Sequence, residues 1–314
     1  MTLSPTWIGI DVSKAWIDVA DPSCARIARI ANCPAELAQL AASLAARNEA
    51  AIFEATGTYD TALRHALATA GVAHVRVNPQ RARDFARATG RLAKTDAIDA
   101  AMLAEMGRAL QPQPDPLPDQ ERERLVLLTR RRDQLVAMRM QEKTRRADVG
   151  ADADDGTVAV DLDSHIAWLD EAVAKVEKTM RQLLDASASL ASADALVRSM
   201  PGIGPVTSAV LIGLLPELGV RSGKQLAMLA GLAPLNNDSG DRRGRRTIRG
   251  GRRRVRQALY MAAVASLKTN SPLKAFYNRL RSAGKAPKAA LIALARKMLT
   301  TLNAMAKTQT AFRA

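Results

Sequence analysis

The sequence predicts an α/β domain followed by an all-α region, and three observations carry that expectation. Short apolar strands alternate with Ala/Leu-rich helical stretches through the first 110 residues, the pattern of a central, partly parallel sheet. A proline-rich stretch, QPQPDPLPD at 111–119, cannot continue a helix and marks a boundary. Beyond it the chain reads as helix, and from residue 191 as strongly basic helix. The expected divisions are therefore 1–110, 111–190 and 191–314.

WIGIDVSK and AWIDVA read as two short strands joined by a tight turn. PAELAQLAASLAARN is a helix, and AAIFEATG a buried strand ending in a glycine turn. YDTALRHALATAG is a helix closed by Gly71, VAHVRVN a strand halted before Pro79, and residues 80–110 are helical with a break at Gly90. After the prolines come a charged helix over about 120–147, the acidic loop GADADDGT and a second helix. In that helix Ile166, Leu169, Val173, Val176, Met180, Leu183, Ser187 and Leu190 step by 3 and 4 in alternation, with only Ser187 polar. This is an a/d seam of roughly three and a half heptads. It suits an antiparallel helical arm, either as internal bundle packing or as a coiled coil that joins protomers. VRSMPGIGPVTSAVLIGLL then sets a Pro-Gly-Ile-Gly turn between two apolar helical stretches. It resembles the helix-hairpin-helix, in which backbone N–H groups hold a DNA phosphate, with Gly202 and Gly204 as the candidates; a plain helical hairpin is the alternative.

The net charge of +15 points to a polyanion, and its distribution says where. Residues 1–110 carry 12 Lys+Arg against 11 Asp+Glu, residues 111–190 carry 12 against 16, and residues 191–314 carry 22 against 4. Most nucleic-acid contact is expected in that last part. Its densest stretch, NNDSGDRRGRRTIRGGRRRVR, holds Arg242, Arg243, Arg245, Arg246, Arg249, Arg252, Arg253, Arg254 and Arg256. An Arg/Gly-rich run is usually a solvated phosphate-binding segment. Only ten residues are aromatic, poor material for stacking bases, so recognition should rest on backbone charge and shape. Cys24 and Cys33 form no CxxC pair, and His65, His74 and His165 are scattered, which argues against a zinc site. No signal-peptide core is evident and SAVLIGLL is too short to span a bilayer, so no membrane partner is expected and the location is cytoplasmic, on the nucleoid when DNA is bound.

Four acids stand out. Asp11 sits mid-strand among apolar residues and Glu54 ends another apolar strand, positions where a carboxylate is unfavourable unless paired or bound to a cation. Asp96 and Asp99, three apart in KTDAIDAAML, share one helix face. Each has a plain explanation, Asp96 as a helix cap and Asp99 as an arginine partner. Together they match what two Mg²⁺ ions need, hard oxygen ligands with positions left for phosphate oxygens. Asp18 and Asp84 are set aside as lying near turns or exposed helix faces, and Asp60 as opening a helix.

GIDVSK, FEATGTYD, VNPQRARDFARATGRLAKTDAIDAAMLA, PGIGPVTSAVLI, LAGLAPLNNDSG and GRRRVRQALYMAA, in order from about residue 7 to 265, resemble the DEDD transposases of bacterial insertion sequences. That family includes pilin-gene inversion recombinases and bridge-RNA-guided recombinases. The resemblance implies a RuvC-like N-terminal domain within the ribonuclease-H-like fold, a helical connector and a C-terminal transposase domain. It implies Asp11, Glu54, Asp96 and Asp99 as the four acids and Ser239 as the nucleophile, with no departure at these positions. It implies donor and target double-stranded DNA, a bridge RNA, and a homo-oligomer that is dimeric or, at the synapse, tetrameric. Arginine cannot activate the serine as a base but can stabilise phosphate charge. On this reading Arg242, Arg243, Arg245 and Arg246 clamp the phosphate near Ser239, and the run from Arg252 to Arg256 grips nucleic-acid backbone. A RuvC-like nuclease that uses water in place of serine, or an invertase without guide RNA, is the alternative.

Overall fold

The structure, a computed structural model, describes residues 6–22, 26–55, 57–90, 96–115, 119–149, 156–235, 244 and 246–313. The chain divides into two compact units, Met1–Pro118 and Asp119–Ala314, so the helical arm and the basic segment fall in one unit. Cys24 and most of the acidic loop lie outside the described residues.

In the first unit β1 (Trp7–Val12) and β2 (Trp16–Asp21) form the expected hairpin. Ser13 closes its turn: its Oγ donates to the Trp16 carbonyl at 2.7 Å and accepts from the Trp16 N–H at 3.2 Å. β3 (Arg26–Ala31) adds antiparallel to β2. The sequence reading passed over this strand, because at the edge of a sheet RIARIA leaves Ile27 42% exposed and lacks a clean apolar alternation. α1 (Pro34–Ala46) leads to β4 (Ala50–Glu54), and α2 (Thr61–Thr69) to β5 (His74–Val77). β4 pairs parallel with β1 and β5 parallel with β4, giving the order β3-β2-β1-β4-β5. α3 (Pro79–Ala88) and α4 (Asp96–Leu110) follow, separated around Gly90 as expected. This mixed sheet with its helices is consistent with a ribonuclease-H-like domain.

Strand alternation sorts the side chains onto two faces. Ile8, Ile10, Val12 and Phe53 pack with Leu37, Leu44, Leu63 and Leu67 of α1 and α2. Trp7, Ile52, Val75 and Val77 pack with Ala82 of α3 and Leu103 and Met106 of α4. Each large side chain so buried contributes about 1.5–3 kcal/mol. The β5 edge is covered by the proline-rich stretch: the Asp115 N–H donates to the His74 carbonyl at 2.8 Å, and Asp115 Oδ2 accepts from the Arg76 N–H at 2.7 Å.

In the second unit α5 (Gln120–Asp148) begins at Asp119, whose carboxylate accepts from the N–H groups of Glu121 and Arg122. α6 (Thr157–Ala186) packs on α5 as an antiparallel hairpin: Leu125 meets Met180 and Leu184 near one end, and Leu135 meets Leu169 and Val173 further along. Arg132 to Glu177 at 2.6 Å and Arg146 to Asp163 at 3.0 Å cross between them. The heptad seam thus packs within the chain, and it is shorter than the spacing suggested. At Ser187 the backbone turns extended, and Leu190 belongs to α7 (Ala188–Arg198). The one polar residue of the repeat is where the helix ends, its hydroxyl paired with Ser189 Oγ at 3.3 Å.

α8 (Pro205–Leu214), α9 (Gly223–Leu229), α10 (Arg253–Ser266), α11 (Pro272–Ser282) and α12 (Pro287–Thr308) share a core that includes Leu211, Leu226, Leu259, Leu294 and Met298. Two short strands interrupt the expected all-helical region: β6 (Pro234–Leu235) and β7 (Thr247–Ile248) pair antiparallel. Among the described residues no helix is long and apolar enough to cross a membrane.

Candidate functional site

Two of the four acids, Asp11 and Glu54, sit side by side at one end of the first unit's sheet. Ile10 pairs with Phe53 across the parallel β1–β4 ladder, so Asp11 and Glu54 are the next positions on adjacent strands, which run about 4.8 Å apart. Both fall on the face that packs α4, since Trp7, Gly9 and Asp11 alternate to one side with Ile52 and Glu54. α4 runs antiparallel to β1 across that face. A Cβ on Gly107 would lie 2.7 Å from the Trp7 side chain, and one on Gly9 would lie 1.9 Å from the Ala100 carbonyl oxygen and 2.5 Å from the Ala104 nitrogen. Only glycine at position 9 permits this approach. The register therefore carries the start of α4, with Asp99 next to Ala100, toward the Asp11 end of β1.

Asp11, Glu54 and Asp99 are each partly buried, and each has a partner within the protein. The side chain of Asp96 lies outside the described residues, although its backbone starts α4. Among the described residues no three of Asp, Glu, His and Cys close into a cation cage. As a donor set the four carboxylates suit a hard divalent cation, and two come from adjacent strands, each one residue past the last pair of the ladder.

Several neighbours of these acids were not singled out from the sequence. Asp18 is not near a turn: it lies mid-strand in β2, directly across from Asp11, and is 6% exposed. Like charges directly opposite destabilise a ladder. Arg29 of β3 offsets this with a forked pair, Nε to Asp18 Oδ1 at 2.9 Å and Nη2 to Oδ2 at 2.7 Å. Asp60 stands at the start of α2 as expected but makes no capping bond. It is fully buried and accepts from Arg76 Nε at 2.5 Å, while Arg76 Nη2 donates to the Gly57 carbonyl at 3.1 Å. Asp84 is an exposed helix residue, as read. The sequence signal for Asp18 and Asp60 was available, an acid within or just after an apolar strand, but the arginine partners are distant in sequence.

In the second unit, Ser239 and Arg242, Arg243 and Arg245 lie outside the described residues. The chain that carries them leaves from β6 and returns at β7, where Pro234 faces Ile248 and Leu235 faces Thr247. The remaining arginines divide in two. Arg252 forms a forked pair with buried Glu217, both contacts at 2.6 Å, and donates to the Leu214 carbonyl at 3.0 Å. Arg254 pairs with Asp133 of α5, its Nη2 at 3.0 Å, and Arg256 donates to the Gly250 carbonyl at 2.6 Å. Arg246, Arg249 and Arg253 are exposed, and no ion pair engages them among the described residues. The Pro201–Gly204 turn also divides. Gly202 has φ +90°, and a Cβ there would lie 2.3 Å from the Ala262 carbonyl of α10, so its backbone is pressed against another helix. Gly204 faces open space at the start of α8, where no side chain caps the first N–H groups.

Comparison with known proteins gives a consistent picture. A family model described as "Transposase", of the DEDD IS110 type, matches residues 8–149, and one described as "Transposase IS116/IS110/IS902 family" matches residues 194–278. The chain is similar to the "Pilin gene-inverting protein" of Moraxella bovis, 30% identical over 256 residues, with 79% of this chain and 77% of the relative covered. The protein of that name from Moraxella lacunata matches to the same extent. An "Insertion element IS110 uncharacterized 43.6 kDa protein" from Streptomyces coelicolor is 32% identical over 193 residues, with 59% of this chain and 46% of the relative covered. The DEDD-type domain suggests dependence on a divalent metal. By the mixed sheet, its adjacent strand acids and these matches, the chain belongs to the IS110/IS116 family of DNA transposases and recombinases.

Proposed function

We propose that this protein is an insertion-sequence transposase that cuts and rejoins DNA through a covalent serine intermediate, with Asp11, Glu54, Asp96 and Asp99 as ligands for two Mg²⁺ ions. The observation that carries the metal half is the register that sets Asp11 and Glu54 side by side and brings the α4 start toward them. When bound, the ions would supply charge stabilisation at the phosphate. The protein's own part is to hold these carboxylates fixed before DNA arrives.

Ser239 supplies the nucleophile in this reading. Its Oγ forms a bond to the scissile phosphorus as the strand's P–O bond breaks, and the serine proton is lost while the departing strand oxygen gains one. Arg242, Arg243, Arg245 and Arg246 meet charge on the phosphate oxygens, and the ester conserves the bond energy for rejoining. Of the other assigned arginines, Arg249 and Arg253 are exposed and suited to donor and target DNA backbone. Arg252, Arg254 and Arg256, each bonded to a protein partner, would act mainly by shaping that surface. Gly204 suits a helix-hairpin-helix phosphate contact, with Gly202 serving its packing. A bridge RNA and a dimer, or a tetramer at the synapse, complete the proposal.

The likeness to the pilin gene-inverting proteins favours a second reading, DNA inversion, for which we consider an enzyme acting without a guide RNA. One experiment tests the chemistry: labelled DNA with Mg²⁺, with and without the transcript of the flanking DNA, resolved on a denaturing gel. Wild type should give a protease-sensitive protein–DNA adduct and Ser239→Ala none. Cleavage without an adduct under trapping conditions would sink the serine mechanism in favour of a nuclease that uses water. An adduct that forms without RNA would favour the inversion reading.

A further inference from the structure

Asn32 ends the extended chain after β3 and touches both loops that follow the strand-borne acids. Its backbone N–H donates to the Ala15 carbonyl at 2.9 Å, which seats it on the β1–β2 turn. Its side-chain Nδ2 donates to the Ser13 carbonyl at 2.8 Å and to the Tyr59 carbonyl at 3.1 Å. Ser13 lies two residues beyond Asp11, and Tyr59 lies five beyond Glu54. One amide group thus ties together the backbones that leave β1 and β4 at the end where the acids sit.

The position matters because the β1–β4 ladder pairs Ile10 with Phe53 and includes no later pair. Past that point nothing in the ladder fixes the separation of the two chains. Arg76 holds the second loop from the β5 side, through Asp60 and the Gly57 carbonyl, and Asn32 holds it from the β3 side. Both of Asn32's side-chain partners are carbonyls, so the amide must present its nitrogen to them, and Oδ1 is left buried without a hydrogen-bond partner. An unsatisfied buried acceptor costs about 1–3 kcal/mol. A serine or an apolar residue would avoid that cost but could not bridge two acceptors.

From this geometry we infer that Asn32 is a positioning residue for the catalytic site: its two hydrogen bonds set the spacing of Asp11 and Glu54 and so tune the affinity for divalent metal. The inference rests on the metal-site reading above. Asn32 touches no reacting atom, and its loss should weaken metal binding while leaving the chemistry at saturating metal largely intact. Groups bonded directly to metal ligands characteristically alter affinity by about 10–100-fold. Asn32 acts one step further out, through the backbones of Ser13 and Tyr59, and should fall at the low end of that range.

The test uses the full chain with Asn32→Leu, which keeps the shape and removes the donors, and Asn32→Ala in case the larger side chain prevents folding. Mn²⁺ binding is followed by electron paramagnetic resonance, DNA cleavage is titrated with Mg²⁺, and melting is recorded without metal. Either variant should bind Mn²⁺ about 10-fold more weakly, need correspondingly more Mg²⁺ for half-maximal cleavage, and recover most of the wild-type rate at saturation. Unchanged metal affinity, with or without a lower melting temperature, would overturn the inference and leave Asn32 a structural residue. Asp11→Asn serves as the separate control. If it binds Mn²⁺ as wild type does, the metal-site reading itself fails and takes this one with it; if it loses the metal while Asn32→Leu does not, only the role of Asn32 falls.

Discussion

The acids of the first unit and the arginines of the second both hold charge against a protein surface, and the two units handle it differently. Strands carry Asp11, Glu54 and Asp18, with Asp18 paired across the ladder from Asp11 and Glu54 just past the last β1–β4 pair. Arginines imported from neighbouring strands neutralise some of the acids, as Arg29 does for Asp18 and Arg76 for Asp60. In the second unit the excess is positive, and its described members include the start of α10. There the imported partners are acids: Glu217 and Asp133 take up Arg252 and Arg254. A cluster of like charge is thus a mixture in both units, some members bound inward and others left outward. The difference is in precision. A metal needs ligands placed to fractions of an ångström, whereas phosphate backbone accepts a diffuse field.

The comparison predicts that charge loss should be catastrophic in one unit and graded in the other. Asp99→Asn should lower strand joining by about a thousandfold, as expected when several kcal/mol of charge stabilisation are lost, with the melting temperature little changed. Full recombination by this variant would remove Asp99 from the site. In the second unit, Arg252→Ala should strand the buried Glu217 carboxylate and destabilise by about 2 kcal/mol, less than a fully buried pair because Arg252 is partly exposed. Denaturant unfolding would show this as a lower midpoint. Arg253→Ala should leave stability within about 0.5 kcal/mol and instead reduce the slope of log affinity against log salt by about 1. Equal effects of the two arginine substitutions on DNA binding would erase the proposed division. The smallest effect concerns acid. His74 is buried against Phe53, and burial holds its pKa below the ordinary 6.5. Protonation therefore favours the unfolded chain, so the stability this neutral histidine allows is fully present above 6.5 and falls as pH drops through and below it. His74→Leu should flatten that acid limb of the melting curve, which a pH series by circular dichroism would detect.

The alternation of strand and helix was legible because both periods are strong: β1, β2, β4 and β5 and their helices fall where the residues suggest. β3 was not, because an edge strand with arginines three apart, Arg26 and Arg29, puts one on each face and leaves no clean apolar face to announce it. The two strand acids were legible as carboxylates in the wrong surroundings. Asp18 was hidden by its arginine, eleven residues away, and Asn32 by having no charge at all: its role comes from two carbonyls brought together only by the sheet. The division among the arginines was illegible for the same reason, since Arg254 finds its partner 121 residues away.

The contact between Gly9 and α4 has a consequence for reading function from motifs. One added methyl group at position 9 would collide with the Ala100 carbonyl and the Ala104 nitrogen, and the helix would have to lift from the strand. That lift would carry Asp96 and Asp99 away from Asp11 and Glu54 together, with every acid still in the sequence. A copy of this gene bearing Gly9→Ala would keep each residue a motif search looks for and still encode an inert protein, so an inventory of acids reports the parts without reporting whether they meet.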